Sequence, residues 1–299
     1  MLIIRLFIFE LNIRASKVMD NERGHSRKAL VCLNEFMGQV FFMYIVLVSA
    51  GTGSDAWGIT GPLALFAVVN IFGGISGGHF NPAVTLGIYV REGKYAENFI
   101  FALMYIFSQA CGALVGMSLA YLVLRIEVDG KYTVPPSSVP LLLPSSITKE
   151  VIDSGNVELV ENFTTFYMEV VCTFVFVALI LHVTGSRTGG MDLGAWKVPA
   201  ICLNLWALCS VDYFTAASFN PALALGSTVF QYWQYPNNPD NVLTHYMFIY
   251  MAGAALGGII AGLWFHIHNG LFPEPEHEDE HHLHESVNEK VHQDDHHSY

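Results

Sequence analysis

Charge is scarce in this sequence. Asp, Glu, Lys and Arg together make up 13% of its 299 residues, about half the share found in an ordinary soluble domain. Hydrophobic residues make up 53%, so too little polar side chain is available to cover a water-facing surface of this size. That excludes a pair of soluble domains and points to an integral membrane protein. A basic field is lacking as well. The formal net charge is −12, which removes the electrostatic basis for a nucleic-acid partner. Cysteines are few and scattered: Cys32, Cys111, Cys172, Cys202 and Cys209 all lie in apolar runs, and none forms a Cys-x-x-Cys pair. Such a set excludes a disulfide framework and a zinc site, and reads as small buried hydrophobes. The apolar region also lacks a paired nucleophile and base, a phosphate-cradling loop and a metal-ligand cluster. Neither an enzyme nor a cofactor is expected.

What is present is a series of long apolar runs. A helix needs about 20 mostly apolar residues to cross a bilayer, and six segments meet that length, at roughly 31–50, 59–76, 98–124, 163–184, 196–215 and 243–268. Two further apolar segments, about 81–90 and 220–232, are too short to cross and each opens with Asn-Pro-Ala. Short segments of this kind suit re-entrant helices, tolerated at membrane depth where protein or a water-filled cavity surrounds them. Residues 1–30 carry six bases and three acids and no clear small-residue cleavage site, which argues against a secretory signal. If both termini share one side, that side collects eleven Lys and Arg and the other collects Arg125, Lys131 and Lys149. The positive-inside bias then places both termini in the cytoplasm.

The sequence divides into a basic segment (1–30), a first repeat (31–125), a Pro/Ser-rich linker (126–162), a second repeat (163–268) and a tail (269–299). Each repeat has a first span carrying a Glu (Glu35, Glu169), a second span, an Asn-Pro-Ala segment and a Gly-rich third span. Three spans per repeat turn the second repeat upside down relative to the first, the inverted-repeat pattern of transporters.

The boxes read SGGHFNPAVTLG (Ser76 to Gly87) and TAASFNPALALG (Thr215 to Gly226). Pro82 and Pro221 are pre-set for a first helical turn, and Asn81 and Asn220 are strong N-caps. In an inverted repeat the two helix starts, Asn81-Pro82-Ala83 and Asn220-Pro221-Ala222, point at each other near the midplane. The positive dipole ends converge there. Both asparagine amides can then donate to an oxygen in a channel, turning the hydrogens of a bound water outward and interrupting a proton wire.

With those residues in hand, the chain resembles the aquaporin (major intrinsic protein) family over about residues 30–268. The paired boxes, SGGH before the first, Glu35 in NEFMG, Gln109 in SQACGALVG and Glu169 in MEVVCTFVF follow the family pattern. The resemblance implies an all-α membrane fold of six transmembrane helices plus two re-entrant half-helices. It also implies a pore in each subunit of a homotetramer in the lipid bilayer, and passive flux of water or small uncharged solutes. The family's second filter does not carry over. Where an arginine usually follows the second box, this chain has Leu223, and counting from the boxes places the other filter positions at Gly61, Leu208 and Ala217. An extra residue in VDYFT leaves Gly61 and Leu208 open by one position. The acidic signature of glycerol-conducting members is also missing, since Ala224 and Leu225 follow. The expectation is a channel of unorthodox selectivity for water, glycerol, urea, ammonia or hydrogen peroxide. The alternative is a pore-occluded structural or adhesion subunit, closed by dewetting at Leu208 and Leu223.

Three polar features have two readings each. Glu35 and Glu169 are expensive at membrane depth unless partnered; they serve either as a proton relay or as acceptors that hold the N–H groups of a re-entrant loop. His79 is a gate at the cytoplasmic mouth or a packing histidine. The tail holds seven histidines, His281, His282 and His284 among them, and nine acids. That composition favours disorder, with either metal binding or plain solvation. Solvation is the expected outcome: zinc titrated into the tail peptide should give no heat at micromolar metal, and a measurable heat would assign the tail to metal binding instead.

Overall fold

The computed structural model describes residues 2–53, 58–134, 142–144, 162–185, 193–212, 216–234 and 242–271. The first repeat contains α1 (Leu2–Thr52), α2 (Thr60–Ser76), α3 (Pro82–Glu92) and α4 (Tyr95–Leu124). A short antiparallel hairpin follows, β1 (Ile126–Val128) paired with β2 (Lys131–Thr133). The second repeat contains α5 (Asn162–Thr184), α6 (Lys197–Val211, entered through a 3-10 turn at Gly194–Trp196), α7 (Pro221–Gln234) and α8 (Val242–Leu271). The basic segment is not set apart from the first span, because α1 runs through both. The tail histidines and most of the linker lie outside the described residues.

Five helices among the described residues are long and apolar enough to cross a membrane, and α2 is a shorter apolar helix of 17 residues. At 1.5 Å per residue α2 is about 26 Å long, close to the thickness of the hydrocarbon layer. The half-helices stand apart. α3 has 11 residues and α7 has 14, about 16 and 21 Å, so neither crosses alone. The fifth span ends earlier than its apolar run suggested, at Val211 rather than residue 215, because Asp212 leaves helical geometry (φ −90°, ψ 51°). The outer faces are oily: Phe107 is 71% exposed and Phe163 79%, a surface that lipid covers and water would not.

The repeats pack by the same plan. In each, the span carrying Glu lies against the Gly-rich third span, α1 on α4 and α5 on α8, and each half-helix packs on the third span of the opposite repeat, α3 on α8 and α7 on α4. That crosswise arrangement ties the two repeats into one body. Lipid supplies no hydrophobic drive between helices, so close backbone approach through small residues carries the association. A methyl group on Gly112 would stand 2.5 Å from the Phe36 carbonyl oxygen, and one on Gly257 would stand 2.5 Å from that of Val170. Gly258 is tighter still, its added Cβ falling against the Ala83 carbonyl of the first box, where α8 packs on α3. Gly258→Ala should therefore push α8 off α3 and destabilise the protein by about 1–3 kcal/mol, the usual cost of overpacking. Thermal unfolding in detergent measures it, and an unchanged midpoint would mean that the two helices are not locked there.

Candidate functional site

Each half-helix is entered through a loop whose backbone has left ordinary conformations. Phe80 (φ 43°) and Phe219 (φ 49°) both lie in the left-handed region, which costs a residue with a side chain about 1–2 kcal/mol. The first loop reaches that point through Gly77 and Gly78, and the second through Ala216 (φ 65°) and Ala217 (φ 52°). Such strain persists only where surrounding structure over-determines it.

Two buried carboxylates do so. Glu35, on α1, accepts from the backbone N–H groups of His79 (3.0 Å) and Phe80 (2.7 Å) and from Gln109 Nε2 (2.8 Å). Glu169, on α5, accepts from Ser218 N–H (2.8 Å) and Phe219 N–H (2.9 Å). Both side chains are fully buried. Because a trans peptide points its C=O opposite to its N–H, holding these amides turns the carbonyls of Gly78, His79, Ala217 and Ser218 away from the carboxylates. Neither Glu lines the cavities described below. A relay would need a carboxylate open to the path, so the geometry favours the loop-holding role. His79 donates or accepts at Thr85 Oγ1 (3.1 Å), and its ring lies 4.7 Å from that of Tyr105.

The half-helix tips meet. Asn81 caps α3 by accepting from Ala83 N–H (2.8 Å), and Asn220 caps α7 by accepting from Ala222 N–H (2.9 Å). Each amide also donates across the joint: Asn81 Nδ2 to the Phe219 carbonyl (2.8 Å), and Asn220 Nδ2 to the Phe80 carbonyl (2.9 Å). The sequence reading, in which each amide can donate to an oxygen in a channel, did not include this cross-joint bond. One N–H of each amide holds the tips together, and a single N–H remains for an oxygen in the path. Phe80 and Phe219 are thus parts of the site that sequence reasoning passed over. The signal was available: both boxes read Phe-Asn-Pro-Ala. Gly38 leaves the room in α1 that the Phe80 ring fills.

Two cavities lie along the re-entrant loops. One, of about 280 Å³, has Gly61, Ala217 and Leu223 in its wall together with Asn81, Asn220 and Asp212. Leu208 is not in that wall; it packs into the apolar core, and its neighbours Leu205 and Cys209 face the cavity instead. The register left open by one residue falls at this point. A methyl group on Gly61 would meet nothing within 4 Å, so this side of the constriction is open. Arg125 does not reach the cavity and lies over the Tyr132 ring, 4.4 Å from its centroid. The second cavity, of about 690 Å³, has Ser76, Thr85, Tyr105, Arg91 and Lys197 in its wall. Leu65, His79 and Phe176 belong to both walls, so the two cavities adjoin at these residues.

Replacing Glu169 by Gln leaves an NH2 facing one of the two loop N–H groups. Glu169→Gln should lower stability by about 1–3 kcal/mol, the cost of a buried unsatisfied donor. An unaltered thermal midpoint for the purified variant would remove the loop-holding role.

Comparison with known proteins agrees with this geometry. The family model described as "Major intrinsic protein" matches residues 24–265. The glycerol uptake facilitator protein-like 6 of Lactiplantibacillus plantarum is 28% identical over 232 residues, covering 77% of this chain and 93% of the relative. Aquaporin C of Dictyostelium discoideum is 28% identical over 248 residues, covering 79% of this chain and 78% of the relative. Among solved structures, the aquaglyceroporin from Plasmodium falciparum superposes with a TM-score of 0.58 at 16% identity, over 80% of this chain and 95% of that one. The last comparison speaks for the fold alone.

Proposed function

The chain belongs to the major intrinsic protein family, and we propose that its pore passes small uncharged solutes such as glycerol and urea as well as water. At the level of the family, it is an integral multi-pass membrane protein and a passive channel for water or small solutes, not an enzyme. The finer reading concerns what the constriction selects. The observation that carries it is Leu223, an apolar branch in the cavity wall directly after the second box, with open space at Gly61.

An arginine at that position would offer a fixed charge and a rigid fork of donors. Water stripped of neighbours in a narrow passage recovers hydrogen bonds from such a fork. Leu223 returns none, so water loses more at this point than a solute with methylene groups. Selection against charge falls to the joint. The N-termini of α3 and α7 both present positive dipole ends there, and the remaining amide hydrogens of Asn81 and Asn220 fix the orientation of a passing oxygen. A water held that way cannot pass a proton along the file. The asymmetry of Lys and Arg supports cytoplasmic termini, which puts the Leu223 cavity on the outer side and the Arg91 cavity on the inner side. The pore lies within one chain, and association as a homotetramer follows the habit of the family.

Stopped-flow swelling of proteoliposomes tests the reading. Wild-type protein should conduct water and glycerol above the lipid background. Leu223→Arg should shift the glycerol-to-water permeability ratio toward water by about tenfold, equal to about 1.4 kcal/mol in relative barrier height. No flux of any solute would defeat the open-channel reading and favour the pore-occluded structural subunit.

A further inference from the structure

The linker between the repeats reaches the start of α7. Val134 is buried and belongs to one apolar cluster with Ala222, Leu223 and Phe230. Leu142 (7% exposed) and Leu143 (5%) belong to another with Ala224, Leu243, Tyr246 and Tyr250. Ala222, Leu223 and Ala224 lie in the first turn of α7, so linker side chains pack on that turn in two places. Connecting segments ordinarily run over the surface. Burial of two adjacent leucines marks a stretch drawn inward by apolar contact. Leu142 also stands in the wall of the 280 Å³ cavity that holds Leu223, and among the described residues of that wall it alone comes from the linker. Leu143 does not line the cavity.

From this placement we infer that Leu142 is a selectivity residue of the pore, setting by its size and its apolar surface which neutral solutes pass the Leu223 cavity. The inference deepens the channel reading and rests on it for flux, but not for the position of Leu142 in the wall. Gly61 and Ala217 contribute little bulk to that wall, and Leu223 supplies a branched apolar side chain. Leu142 adds a second, brought in from a distant part of the chain. Like Leu223 it offers no hydrogen bond to a passing water, so it costs a solute with methylene groups less than it costs water. Its volume also sets an upper bound on the width of what fits. The wall residues on α1, α2, α5 and α6 are fixed by helix packing, and altering one disturbs the bundle. A linker residue on this rigid scaffold can change size while the helices stay in place. Differences of one methylene in an apolar passage are worth tenfold or more in discrimination, by order of magnitude.

The test uses full-length protein in proteoliposomes, with stopped-flow flux of water, glycerol and the bulkier polyol erythritol. Leu142→Ala should raise the erythritol-to-glycerol permeability ratio about tenfold, and Leu142→Phe should lower it by a similar factor. Leu142→Asn, close to leucine in size, adds donors and an acceptor and should shift the glycerol-to-water ratio toward water. Unchanged ratios in all three variants, or a shift in the same direction for Ala and Phe, overturn the inference. A labelling measurement separates it from the channel reading. Cys209 lines the same cavity, so the background is Cys209→Ser in detergent-solubilised protein. There Leu142→Cys should react with a small methanethiosulfonate reagent at least about tenfold faster than Leu143→Cys, because thiol reactivity follows access. Mass spectrometry of the modified residue reads both rates. That difference is expected whether or not any solute flux is seen, and equal rates also overturn the inference.

Discussion

Backbone polar groups at membrane depth must find partners inside the protein, and the two re-entrant loops of this chain are where that constraint bites hardest. An α-helix satisfies itself, but the chain from Gly77 to Asn81 and from Ala216 to Asn220 is not helical. Its amides are met by Glu35 and Glu169 and its last carbonyls by the opposing asparagines. Each unsatisfied group in hydrocarbon costs several kcal/mol. The two carboxylates and two amides therefore set the shape of the pore before any solute enters it. The carbonyls beside the loops and the starts of the two half-helices are fixed by where those four side chains stand.

Helix packing serves the same end. Each half-helix leans on the third span of the opposite repeat, so the joint between Asn81 and Asn220 is clamped from both sides. Gly258 lets α8 press on the Ala83 backbone, and Gly226 sits close to Met43 and to the Ala113 backbone. Glycine at these contacts removes the side chain that would hold the helices apart, and van der Waals packing then does what the hydrophobic effect does in water. The strained Ala216 and Ala217 show the other side of the bargain. The second loop lacks the glycines of the first, and Glu169 holds its turn in place.

Electrostatics divides the path into unlike parts. At the joint, the N-termini of α3 and α7 present their positive dipole ends. In the wall of the Leu223 cavity Asp212 is the one carboxylate, and no Lys or Arg is present among the described residues. Beyond His79, Arg91 and Lys197 line the wider cavity. A solute therefore meets a sequence of environments rather than one filter. In the proposed channel, Leu223 shifts the balance of water against less polar molecules and leaves selection against charge to the joint.

The sequence by itself determined the class and plan of the molecule, because those depend on local signals. Long apolar runs give spans, Asn-Pro gives a capped helix start, and the matching order of Glu, box and glycines gives two repeats of opposite sense. Glu35, Glu169, Asn81 and Asn220 were legible as polar residues that a membrane would not tolerate without a task. What only the tertiary structure decided lies in contacts between residues far apart in the chain. The crossing of Asn81 to the Phe219 carbonyl spans 138 positions, and no local pattern states that half of each amide's capacity is spent there. The exchange of Leu208 for Leu205 and Cys209 in the cavity wall was decided by the rotation of α6 about its axis, which an inserted residue in the following loop conceals from counting. Asp212 became part of a cavity for the same reason. Ending a helix is a local event, but facing a path is settled by every element packed around it.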